Sequence, residues 1–185
     1  MLNFGVIFKN QHSQKDHGLI MQSIDRSLLP MVKRQQVDIP SLEGKYDLQE
    51  EPLYDNRIIT VKFSAVVNGG PVEMQAKKRR IAKWLSGRSR LIFDDEPGLW
   101  NDAKVFDAIA FEQTFKTLVV EAFFECFPLA YGKTVTEPLV TGENPFKYLG
   151  NMKTPTRIMF QNTSGHVIER IRLNAIYRAT GKGTN

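Results

Sequence analysis

A mainly β chain organised on one helix is the fold this sequence predicts, and three patterns predict it. Residues 57–67 alternate, with Ile59, Val61, Phe63 and Ala65 on one side and Ile58, Thr60, Lys62 and Ser64 on the other. Residues 118–126 do the same, with Leu118, Val120, Ala122, Phe124 and Cys126 opposing Val119, Glu121, Phe123 and Glu125. Only 71–85 has helical spacing: Met74, Ile81, Ala82 and Leu85 share a face, with Trp84 at its border.

The other elements follow in order. Asn3 to Phe8 alternates, with Phe4, Val6 and Phe8 on one face. Residues 9–16 are polar and turn-like. His17-Gly18-Leu19-Ile20-Met21 resumes an extended run, Ile24 and Leu28 continue it less regularly, and Pro30 breaks or edges it. Between 31 and 56, Val37, Ile39 and Tyr46 are separated by Pro40 and Gly44, a spacing that fits a long hairpin turning near 41–45. Asn68-Gly69-Gly70 is a turn. Pro71 suits the first helical position, where its missing N–H costs nothing. Gly87 is placed to close the helix in the left-handed conformation. Leu91 to Phe93 is a short strand before the Asp94-Asp95-Glu96-Pro97-Gly98 turn. Residues 104–112 form a strand that hairpins with 118–126. Glu121 and Glu125 leave one face of that hairpin partly wet.

From 130 to 156, Gly132, Pro138, Gly142, Pro145, Gly150 and Pro155 mark a linker, so a domain boundary falls near 130. The first domain is then 1–130, and 131–185 is a linker with the start of a second domain. Residues 157–161 and 166–177 read as two strands around a turn at 162–165. Two strands do not make an independent domain, so they read as the opening of a larger one.

At 185 residues and 42% apolar content, the chain has enough material for a core. A formal charge of +5 is modest and does not by itself mark a nucleic-acid binder. Cys126 is the lone cysteine, which excludes an intrachain disulfide. The longest apolar run, 118–129, is interrupted by Glu121 and Glu125, so it does not read as a membrane span. No basic region followed by an apolar core opens the chain, so no export signal is read there.

Candidates for chemistry are few. Lys77, Lys78, Arg79, Arg80 and Lys83, followed by Arg88 and Arg90, form a basic cluster that could meet phosphates. No nucleic-acid motif surrounds it, so it reads as a solvated helix face or a charged subunit contact, without specific nucleic-acid binding. Asp94, Asp95 and Glu96 lack the spacing of a calcium loop and read as a turn. His12, His17 and His166 are scattered, with no zinc-ligand spacing. Cys126, between strand residues and Phe127-Pro128, reads as a buried structural thiol. There is no nucleophile elbow and no phosphate-binding glycine loop. The chain reads as a non-enzyme, with no catalytic residues, metal or cofactor.

Ile81-Ala82-Lys83-Trp84-Leu85-Ser86-Gly87, followed by Leu91-Ile92-Phe93-Asp94-Asp95-Glu96-Pro97, resembles the distal tail proteins of siphophages, the phage tail component family. Arg57 to Phe63 looks like that family's central strand, and Phe124 to Pro128 with Ala130-Tyr131 like the end of its first domain. The order and spacing of these short motifs carry the match over about 3–131; 154–173 looks like the start of a galectin-like second domain. The resemblance implies an N-terminal β-sandwich carrying one helix and a long hairpin, assembled as a homohexameric ring in the virion's tail tip. It implies a structural role between the tail tube protein and the baseplate, with a tail-associated fibre or lysin protein as partner and, in some members, a receptor-binding protein. Assembly would take place in the host bacterial cytoplasm, with no membrane partner. A ring needs two complementary patches per subunit. Val37, Ile39, Leu42 and Tyr46, apolar in a loop-rich stretch without a core of its own, are assigned to one of them. The alternative is a monomeric β-sandwich module that binds carbohydrate or nucleic acid.

Overall fold

The protein is represented by a computed structural model that describes residues 4–34, 36–38, 45–47, 52–106, 110–113, 116–146, 150, 152, 154 and 156–172, with 36–38, 45–47 and 110–113 described as backbone. The elements run β1 (Val6–Phe8), β2 (Gln11–His12), α1 (Ser13–His17), β3 (Ile20–Arg26), β4 (Gln36–Asp38), β5 (Lys45–Asp47), β6 (Arg57–Val66), α2 (Gly70–Leu85), β7 (Arg88–Phe93), β8 (Asn101–Val105), β9 (Ala110–Gln113) and β10 (Thr117–Cys126). The fold is mainly β. Eight strands form one antiparallel sheet in the order β2-β1-β7-β8-β10-β6-β3, with β9 also on β10. The β4–β5 hairpin stands apart as a two-stranded ladder.

The two strictly alternating segments are the centre of the sheet. β10 pairs with β6 over its whole length, from Thr117 opposite Val66 to Cys126 opposite Arg57. Because side chains alternate across a strand, this register puts Ile59, Val61, Phe63 and Ala65 on the same face as Leu118, Val120, Ala122, Phe124 and Cys126. All nine are buried. Fully burying each of the larger ones stabilises the fold by about 1.5–3 kcal/mol. α2 closes this face with Met74, Ile81, Trp84 and Leu85. Trp84 packs edge-on against Phe8 and Phe63, and its indole N–H donates to the Phe8 carbonyl at 2.9 Å. Ala82, expected on the buried face, is exposed. Ala82 lies about 100° around the helix from Ile81, while Leu85 is about 40° and Trp84 about 60° away, so the border residue goes in and the alanine stays out.

Several boundaries differ from the sequence reading. The expected strand over 104–112 is two strands, β8 and β9, both on β10. Val105 faces Phe124 and Ala110 faces Glu121, so this side carries two more residues than its partner and the ladder shifts register between them. The turn-like stretch 9–16 contains α1. Its cap is an imidazole: His12 Nδ1 accepts from the backbone N–H groups of Gln14 and Lys15 at 3.1 and 3.2 Å. Histidine is outside the usual capping set, so the signal was silent. Gly18 ends α1 at φ +60°, which moves the start of β3 to Ile20. Gly87 adopts φ +81° after α2, as expected.

The sheet rolls. Strands lie about 4.8 Å apart, so four steps from β7 to β3 would span about 19 Å if flat. Yet Arg26, at the end of β3, pairs with Asp95 and Glu96 just after β7, and its guanidinium lies 5.2 Å from the Phe93 ring centre. Beyond β10, Tyr131 returns to the start of β8. Its backbone exchanges hydrogen bonds of 2.9 and 2.8 Å with Trp100, and the two rings stack 4.5 Å apart.

The chain divides into two units, 1–143 and 144–185, and the account above is of the first. In the second, the turn expected at 162–165 is present: Asn162 Oδ1 accepts from Ser164 N at 3.0 Å, and its Nδ2 donates to the His166 carbonyl at 2.8 Å. The flanking strands expected over 157–161 and 166–177 are not formed among the described residues. An isolated hairpin has no second layer to cover its apolar side, and Ile158, Phe160, Ile168 and Ile171 are all exposed.

Candidate functional site

The root of the long hairpin is held by one isolated bridge whose apolar neighbours stay outside the core. Asp55 N donates to Met31 O and Lys33 N to Leu53 O, both at 2.7 Å, with Val32 bridged to Tyr54. Farther out, β4 and β5 pair Val37 opposite Tyr46. Ile39 and Leu42 lie outside the described residues. The root of this arm carries exposed Leu28 (100%), Leu29 (77%), Met31 (76%) and Leu53 (57%). Scattered surface leucines are ordinary, but these fall along one short segment and form an exposed apolar patch. The contact expected from sequence spans 31–56, on the strength of Val37, Ile39, Leu42 and Tyr46; it includes Met31 and Leu53 without naming them, and Leu28 and Leu29 lie outside it. The Leu28-Leu29-Pro30-Met31-Val32 run has no strand or helix period, so periodicity could not flag it.

The basic cluster lies on α2. Arg79, Arg80 and Lys83 are exposed, while Lys77 and Lys78 are half-buried. Burial, and then the nearby Arg80, hold the Lys77 ammonium below its ordinary pKa. Burial also lowers His17, opposed by Asp16 and reinforced by Arg80 and Lys77. His17 stacks on Trp84 at 4.5 Å.

The acidic turn is a clasp. Asp94 accepts from Gly5 N and faces His12 Nε2, each at 2.9 Å, and Arg26 takes Asp95 and Glu96. Gly5 is obligatory here, since a Cβ would fall 2.5 Å from His12 Cε1. His12 uses both ring nitrogens, one on Asp94 and one on the α1 cap, so it offers no free lone pair for base chemistry. Cys126 is fully buried, and loss of solvation pushes its thiol up to about 12. No group of three or more His, Cys, Asp or Glu among the described residues is arranged to hold a metal.

Two grooves border these parts. One, of about 450 Å³, is lined by Arg88, Arg90, Trp100 and Asp102. Arg88 makes two 2.7 Å bonds to the Asp102 carboxylate, which hold it below the usual carboxylate range. Trp100 stacks on Tyr131 and carries the Arg90 guanidinium 4.5 Å from its ring centre, so both contacts take ring surface a sugar would need. The other, about 270 Å³, lies between Asp55, Asn56, Ile58, Phe106 and Glu125.

A rolled antiparallel sheet under one helix, with His12, Asp94, Arg26, Arg88 and Asp102 paired within the fold and an exposed apolar segment at the root of the hairpin, presents no assembled catalytic set among the described residues. Residues 13–125 match the phage tail protein RIFT-related domain, and the chain belongs to that family. It is a structural protein of the phage tail, and so a component of the virion. Among solved structures, it shares its fold with the SPP1 Dit (gp 19.1) protein, described as a paradigm of the hub adsorption apparatus in phages infecting Gram-positive hosts. The TM-score is 0.58 at 15% identity, over 70% of this chain and 52% of that one. The chain thus spans about half the length of that relative. No curated protein matches the sequence.

Proposed function

We propose that this protein is a distal tail protein whose first domain assembles as a homohexameric hub ring between the tail tube and the baseplate or fibre proteins of the tail tip. The arm carries this reading: a chain with a complete core leaves Leu28, Leu29, Met31 and Leu53 in solvent. Burying them against a neighbouring subunit regains the hydrophobic free energy the monomer forgoes. We assign Val37, Ile39, Leu42 and Tyr46 to the same subunit contact. Residues 1–130 make the ring, and 131–185 form the linker and opening of a second β domain. The partners are the tail tube protein, a tail-associated fibre or lysin protein and, on the second domain, receptor-binding proteins. Assembly takes place in the host bacterial cytoplasm, and the role is structural rather than catalytic. A monomeric carbohydrate- or nucleic-acid-binding module is less well supported, because Trp100 is engaged internally and no exposed aromatic interleaves the α2 cations.

Native mass by light scattering over a range of concentrations, with negative-stain images of the largest species, tests the ring. A six-fold ring is expected. A monomer at every concentration contradicts it.

A further inference from the structure

The chain's positive charge is concentrated on one helix. α2 holds five cations and a single acid, which leaves twenty basic and nineteen acidic residues elsewhere. The arginines of the sheet have partners inside the fold: Arg26 has Asp95 and Glu96, Arg88 has Asp102, Arg57 has Asn101 and Arg90 has Trp100. Among the described residues, Arg79 and Lys83 make no ion pair. They lie one helical turn apart, about 160° either way around the helix from buried Ile81, on the outward ridge. Val72 and Ala76, both exposed, continue that ridge toward the start of the helix.

Carboxylates lie on the other face of the sheet, beside Lys62 and Lys104. Ile59 and Phe124 are buried beneath α2, so their chain neighbours Ile58 and Glu125 point away from it. There the 270 Å³ notch has an apolar wall of Ile58 and Phe106, 53% and 45% exposed, and an acidic rim of Asp55 and Glu125. Neither carboxylate is saturated. Glu125 accepts from Asn56 Nδ2 at 3.0 Å, and Asp55 Oδ1 accepts from Asn56 N at 3.0 Å and has Lys33 at 3.9 Å, which leaves acceptor capacity on both. An aliphatic stem ending in a cation fits this chemistry, its stem on the apolar wall and its head on the rim. The notch also adjoins the root of the arm, because Asp55 N donates to Met31 O.

We propose that the α2 ridge of one copy, led by Arg79 and Lys83, docks in the Asp55–Glu125 notch of the next. The two patches are complementary and lie on opposite faces of one sheet. That is the head-to-tail arrangement a closed ring requires, and it cannot be satisfied by a two-fold dimer using one patch. The inference rests on the ring reading and names its electrostatic contact.

Charge exchange tests it on the full chain, with native mass as the readout and far-UV circular dichroism as the check on folding. Arg79→Glu with Lys83→Glu, or Asp55→Lys with Glu125→Lys, should weaken self-association at least about tenfold at low salt. All four substitutions in one chain should restore it, because every contact is then reversed on both sides. Wild-type assembly should weaken as salt rises. If wild type assembles and either pair of reversals leaves it intact, the contact is overturned while the ring stands. Failure of the fourfold variant to recover overturns it too. If Arg79→Glu with Lys83→Glu abolishes only retention of duplex DNA, the ridge belongs to nucleic acid. A wild type that never self-associates overturns ring and contact together.

Discussion

Two regions of this protein use the same residue types in opposite ways. In β6, β10 and α2, the leucines, isoleucines and valines of the inner face are fully buried and interlock with Phe8, Phe63 and Phe124. In the arm root, Leu28, Leu29, Met31 and Leu53 are displayed to solvent beside the isolated Val32–Tyr54 bridge. Hydrophobic free energy stabilises the fold in the first region; in the second it is not realised within the single chain, and the proposed ring would realise it. Apolar content alone therefore does not tell what a segment does; the presence of a second packed layer decides.

Truncation separates the two regions most sharply. Phe124→Ala should cost the fold about 3–5 kcal/mol, because Phe124 is fully buried and its ring meets Phe8 at 5.4 Å. Leu29→Ser, at a residue 77% exposed, should change the stability of the single chain by no more than about 0.5 kcal/mol. Urea unfolding of both variants at low protein concentration checks the pair, and equal losses would erase the distinction.

A smaller effect tests the seam between α1 and α2. Burial holds His17 below its ordinary pKa, so the unfolded chain binds this proton more readily than the folded one. The contribution is complete above about pH 6.5, and it is lost as pH falls toward the lowered folded value. His17→Gln should therefore flatten part of the acid-side decline in melting temperature between pH 7.5 and 5. An unchanged slope would remove His17 as its source.

The sequence shows the core because the core is periodic. β6 and β10 fall where the alternation places them, and α2 differs at its boundary by a single residue, Gly70. The resemblance stated from the 81–97 motifs leads to the family that residues 13–125 match. What escaped notice depends on contacts distant in sequence. The His12 cap of α1 is completed by Asp94, 82 positions away. The break between β8 and β9 shows only against β10. The exposed leucines of the arm root have no period to betray them, and the charge complementarity of α2 with the notch exists only once the sheet assigns them opposite faces. The expected strands after 156 follow a weak alternation that has no sheet to join among the described residues.

The claim that the arm serves assembly and the sheet serves stability can be tested in one experiment. Deleting residues 36–46 from the full chain removes β4 and part of β5 and leaves every described core residue in place. Native mass and thermal unfolding are then measured beside the wild type. The account predicts that the hexamer is lost while the unfolding transition of the single chain is retained. A hexamer that survives the deletion, or a chain that no longer folds without the arm, contradicts it.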